Sequence, residues 1–89
     1  MNAYDIQVQL SSILRKRAHI DFNTNSELRD EKLLGDKIGM PARELVLALF
    51  DIEREFNTKI PEQDIIDGTF DTFNNIEKII EVSFGGINL

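Results

Sequence analysis

The chain has no cysteine, no tryptophan, one histidine, one tyrosine and two prolines in 89 residues. Without cysteine there is no disulfide and no thiolate metal site. A metal centre needs several convergent ligands, commonly with His or Cys among them. His19 stands alone, so no metal is expected. A general base needs a nucleophile or an acid at hand, and nothing beside His19 offers one, so it reads as a helix-end residue. No stretch approaches the roughly twenty apolar residues of a membrane span. The first residues, MNAYDIQVQ, lack the basic start and apolar run of a signal peptide. A cytoplasmic monomer that avoids membranes is the expectation. Basic residues are also scarce, and the net charge is −6. Arg15, Lys16 and Arg17 leave residues 1–20 at +2, while the rest carries −8. An acidic chain repels phosphate backbones, which argues against a nucleic-acid partner.

What remains is 42% hydrophobic and 29% charged, a globular composition and not a disordered one. One small domain over residues 1–84 is expected, with 85–89 as a frayed tail. Its most informative stretch is Ile38–Phe56, IGMPARELVLALFDIEREF. After Gly-Met-Pro, residues Arg43–Phe56 contain neither Gly nor Pro. Leu45, Leu49, Ile52 and Phe56 recur at i, i+4, i+7 and i+11, one face of a helix. Pro41 suits the first turn, where its missing N–H costs nothing. Glu44 meets the positive end of the helix dipole.

Asn2 is placed to cap a first helix from Ala3, with Ile6, Leu10, Ile13 and Leu14 as its buried stripe. Arg15-Lys16-Arg17 falls in its last turns, where positive charge complements the dipole. We read these three as a solvated helix end. Ile20–Lys32 is a polar loop with Ile20 and Phe22 tucked under the helices. Asp21, Asn23 and Asn25 alternate as at the start of a calcium loop, but Ser26 replaces the required glycine and Lys32 the final glutamate. Gly35 and Gly39 permit turns with positive φ and lack phosphate-loop spacing. Ile60-Pro61 leads into a short helix, Glu62–Asp67, which Gly68 stops. Thr72 caps a last helix, with Phe73, Ile76 and Ile80 facing inward and Gly85-Gly86 ending it.

The stretch Leu34–Pro61 resembles, without gaps, helix II of acyl carrier proteins and its flanks. Ile38-Gly39 stands where that family has Leu-Gly. Glu53-Arg54-Glu55-Phe56 stands for its acidic run and Phe, and Ile60-Pro61 follows at the family spacing. Ile60–Ile65 and Phe70–Ile76 are similar to the family's third and fourth helix starts. The resemblance covers roughly Leu33–Ile80. It implies an all-α, acyl-carrier-like four-helix bundle with three longer helices, a short third helix and a long first loop. It also implies that Leu34 pins that loop to the core. The family's phosphopantetheine arm is a phosphodiester on a serine, and here Ala42 occupies that position, with Pro41 and Arg43 beside it. Sliding the register by three residues places Gly39 there instead. Neither residue has an oxygen to phosphorylate, so no cofactor is expected.

The chain is also similar to acyl-carrier-related proteins that accompany bacterial peptide-maturation enzymes. That likeness rests on Leu33-Leu34-Gly35, Pro41-Ala42-Arg43-Glu44-Leu45 and Phe50-Asp51. It implies a non-enzymatic interaction module for a modifying or biosynthetic enzyme of peptide maturation or natural-product biosynthesis. The alternatives are a functional carrier modified at a non-standard site, and a structural adaptor subunit. No His, Cys or Ser constellation stands beside the many carboxylates, so catalysis is not expected.

With ~100° per residue and Glu44 at zero, the apolar stripe lies between about 80° and 140°. Glu44, Asp51 and Glu55 form a charged flank near zero. Val46, Phe50, Arg43, Arg54 and Leu47 occupy the opposite side, from about 200° to 300°. In carrier proteins this face meets partner enzymes and is rimmed with carboxylates. Here Leu47 and Arg54 replace acidic positions and Arg43 is added. These five are the candidate partner-binding residues, for a partner that is apolar and acidic. The competing reading packs Phe50 and Leu47 against the first loop or Met40.

Overall fold

A computed structural model describes residues 2–84. Among them are four α-helices and no strand: α1 (Ala3–Ala18), α2 (Ala42–Glu55), α3 (Glu62–Ile66) and α4 (Phe73–Ser83). A 3₁₀ helix, Ser26–Asp30, interrupts the long connection from α1 to α2. The chain is thus all-α, a small helical bundle, with three longer helices and one short one. The expected tail at 85–89, and the Gly85-Gly86 stop, lie outside the described residues.

Local chemistry explains most boundaries. The side chain of Asn2 accepts from the Asp5 N–H at 2.9 Å, and Thr72 Oγ1 accepts from the Asn75 N–H at 3.0 Å. Each satisfies a donor that the helix start leaves unpaired. His19 ends α1 in the left-handed conformation, and its N–H donates to the Arg15 carbonyl. Its predicted place at a helix end holds. Pro41 sits at the N-cap of α2 and makes no side-chain capping bond. Gly68 follows α3 with φ +75°, a conformation that glycine reaches without strain.

α1 is the central element and packs against both α2 and α4. Ile6, Leu10 and Leu14 are fully buried, as are Phe73, Ile76 and Ile80 of α4. The first loop closes beneath them through Phe22, whose ring lies 5.1 Å from that of Phe73. Arg29 then covers Phe73, with its guanidinium carbon 4.6 Å from the ring centroid, and donates to the Phe22 carbonyl at 3.1 Å. A cation over an aromatic face is attractive, so one side chain locks the loop to α4.

Two expectations about the first loop are corrected. Leu33, not Leu34, pins it to the core. The Leu33 N–H donates to the Asp71 carbonyl at 2.8 Å, and its own carbonyl accepts from the Met40 N–H at 2.9 Å. Leu33 is fully buried, and Leu34, the next residue along, is 52% exposed. Of the two glycines, only Gly39 has positive φ, +67°.

The inward face of α2 is also rotated from the expected one. Of the expected stripe, Ile52 and Phe56 are buried, but Leu45 and Leu49 are only partly buried against the core, while Ala48 is fully buried and Asp51 nearly so. The buried direction lies roughly 60° toward the Glu44 side of the apolar stripe. Arg17 is the reason. Its Nε donates to Asp51 Oδ2 at 2.8 Å, and its Nη1 to Glu44 Oε1 at 3.3 Å. Arg17 is therefore a half-buried clamp between α1 and α2. It is not part of a solvated helix end, although Arg15 and Lys16 are exposed.

Candidate functional site

Turning α2 toward α1 decides what its outer face presents. Val46 and Phe50 are left 52% and 55% exposed. Arg43 and Arg54 are exposed beside them, and Leu47 is half-buried. Phe50 is too exposed to be packed against the first loop or Met40. Leu47 lies between the two situations, since it is half-buried without joining the core cluster. Arg54 folds back along its helix, and its Nη2 donates to Asp51 Oδ1 at 3.0 Å.

Two hollows border this face. Phe50 and Arg54 share one, of about 590 Å³, with Glu53, Asn57, Thr58 and Lys59. Val46 borders the other, a groove of about 360 Å³ between α2 and the α3 region, with Leu45, Leu49, Ile65 and Phe70. Of the five candidate residues, Phe50 and Arg54 line the charged hollow and Val46 lines the apolar groove, while Arg43 and Leu47 line neither. Ile65 and Phe70 were not singled out from the sequence. The available signal was the pair Ile65-Ile66 in a helix of five residues. Neither is buried.

The acidic residues of α2 are turned elsewhere or already bonded. Glu44 and Asp51 are held by Arg17. Glu53 Oε2 accepts from the Ile60 N–H at 2.9 Å. Glu55 borders a hollow formed with Gln9, Ser12 and Ile13 of α1. Arg43 and Lys59 are left as exposed positive charges around Val46 and Phe50, with Arg54 exposed but bonded to Asp51, and with the Glu53 carboxylate in the same hollow. A chain of net charge −6 therefore has a locally basic, apolar face.

The start of α2 carries no hydroxyl. Pro41, Ala42 and Arg43 are all exposed, and none of them offers a nucleophile for phosphodiester formation. Elsewhere, Gln7 donates to Glu77 at 3.0 Å. Burial, and next the Glu77 carboxyl, push Glu81 above the ordinary glutamate range. No group of three or more His, Asp or Glu side chains is placed to hold a metal among the described residues. No helix among them is long and apolar enough to cross a membrane. Comparison with protein-family models, with curated proteins and with solved structures finds no match to this chain.

Proposed function

We propose that this chain is a non-catalytic, acyl-carrier-like interaction module that meets a protein partner through the outer face of α2. The observation that carries this reading is the exposed pair Val46 and Phe50 on a helix whose carboxylates are turned away or bonded. Exposed apolar side chains are ordinary singly, but grouped on one helix face they mark an interaction site. The order of helices, with a long first loop and a short third helix, agrees with the carrier resemblance. Ala42 at the start of α2 removes the arm on which carrier chemistry depends. The module acts as a monomer in the cytoplasm, beside a modifying or biosynthetic enzyme of peptide maturation or natural-product biosynthesis.

Phe50→Ser with Leu47→Gln tests the face. Partner recovery in a pull-down should fall to background, with the melting temperature within a few degrees of wild type, since surface substitutions usually stay within about 0.5 kcal/mol. Full recovery by the double variant, or a large loss of stability, removes this face as the binding site.

The arm is tested separately. Incubation with coenzyme A and a phosphopantetheinyl transferase should leave the wild-type mass unchanged. The triple variant Pro41→Asp, Ala42→Ser, Arg43→Leu restores the family's Asp-Ser-Leu, and Asp at an N-cap is favourable. It should gain the mass of one arm. A gain by the wild type contradicts the proposal. An inert triple variant shows that the surface read by the transferase has diverged as well.

A further inference from the structure

The apolar groove beside the proposed partner face has walls of opposite character. Its α2 wall consists of Leu45, Val46 and Leu49, and that helix turns Arg43 and Arg54 outward. Its other wall is Ile65 with Phe70, in a segment whose charges are all acidic: Glu62, Asp64 and Asp67. Two of those acids are occupied locally. Asp64 accepts from the Thr69 hydroxyl at 2.9 Å, and Asp67 from the Gln63 amide at 2.8 Å. Glu62 is exposed. An occupant that places carboxylates against α3 is repelled, whereas carboxylates along the α2 edge meet Arg43, Lys59 and Arg54, which shares its charge with Asp51, against the single carboxylate of Glu53, which is bonded to the Ile60 N–H.

We propose that the α2–α3 groove seats an apolar side chain from an amphipathic, one-edge-acidic helix of the partner protein, with its carboxylates along Arg43, Arg54 and Lys59. The proposal rests on the partner-face reading above and adds the chemistry of what binds there. The groove supplies apolar burial, and the basic edge sets orientation and association rate, which is what interfacial charge does best. An amphipathic helix lying in such a groove anchors itself through residues at i, i+3 or i+4, and i+7. The exposed Phe50 extends the apolar surface beyond the groove along the same edge.

The probe is a designed helical peptide with leucines at those spacings, glutamates along one edge and glutamines along the other. Its twin carries lysines in place of the glutamates. The overall charge of −6 favours the lysine twin, so preference for the glutamate peptide isolates the local basic edge. In methyl-labelled protein the glutamate peptide should shift the signals of Leu45, Leu49 and Ile65. It should bind about tenfold more tightly than its twin, with the difference shrinking between about 50 and 300 mM salt. Arg43→Glu with Arg54→Glu should reverse the preference. Ile65→Ser should weaken the glutamate peptide about tenfold while the thermal transition stays near wild type, because Ile65 is already half-exposed and outside the core.

Equal or tighter binding of the lysine twin overturns the proposal, as does the absence of shifts with either peptide. So does a free ten-carbon fatty acid that fills the groove at concentrations where neither peptide binds. Concentration-dependent dimerisation abolished by Ile65→Ser gives the groove to a second copy and also overturns it. In the pull-down, loss of the natural partner with Phe50→Ser but not with Ile65→Ser refutes the groove inference alone. Retention with both refutes the partner face itself.

Discussion

Ile52→Ala should cost about 2–5 kcal/mol, the range for deleting most of a buried aliphatic side chain. Ile52 is fully buried near the C-terminal end of α2, the helix that packs on α1. Small domains are commonly stable by only about 5–15 kcal/mol. At about 4–8 °C per kcal/mol for a chain of this size, the melting temperature falls by on the order of 10–40 °C. Leu49→Ala, three residues earlier, should cost only about 1–2 kcal/mol, since Leu49 is partly exposed at the groove and full burial of a leucine is worth about 1.5–3. Circular dichroism melts of the two variants measure the difference. A Leu49→Ala loss equal to or above that of Ile52→Ala would mean that α2 faces the core through the Leu45 and Leu49 side of its apolar stripe and not through the Ala48 and Ile52 side.

That contrast shows which features of the sequence were legible. Asn2, Thr72 and Gly68 act through bonds or dihedrals within a few residues of themselves, so local pattern suffices to place them. The rotation of α2 is different. A carboxylate in a helix reads as solvent-facing, and helical spacing places Asp51 on a charged flank. Its burial depends on Arg17, 34 positions away in the chain, and no periodicity within α2 encodes that contact. Ala48 adds little to an apolar pattern because its side chain is small, yet it is fully buried.

Leu33 and Leu34 teach a related lesson. Both are leucines, and the choice between them is made by the backbone bonds of Leu33 to Asp71 and Met40, which join three separate segments. At the candidate site, Val46, Phe50, Arg43 and Arg54 follow from helical spacing alone, because exposure on α2 is a one-dimensional question. The groove beside them is not. It needs Ile65 and Phe70, which come close to α2 only through the path of the chain after Phe56. Glu53 helps set that path by bonding the Ile60 N–H.

The clamp between α1 and α2 carries the largest expected electrostatic effect. Arg17→Met and Asp51→Leu should each be clearly destabilising, and the double variant should recover much of the loss. Removing one partner leaves the other charge at a packed interface with only its second contact, Arg54 for Asp51 or Glu44 for Arg17, whereas an apolar pair of similar volume keeps the packing and removes both desolvation costs. A cycle in which the double variant is as unstable as the sum of the singles would show no coupling between the two side chains. The same clamp shapes the acid limb of stability. The hydrogen bond from Arg17 holds the Asp51 carboxyl below the ordinary aspartate range against the opposing effect of burial, with further help from the charges of Arg17 and Arg54. Because the folded form binds this proton less readily than the unfolded chain, its contribution is fully present above the unfolded value of about 3.9. It is lost as pH falls through the lower folded value. Asp21, held down by the Asn23 N–H, acts in the same direction. So does Asp71, where burial is outweighed by Lys32 and Asn75. The double variant should therefore show a shallower loss of stability than wild type below pH ~4, without losing the acid limb altogether. Urea titrations at a series of acidic pH values measure that slope, and an unchanged slope would mean that Asp51 is not held ionised by Arg17.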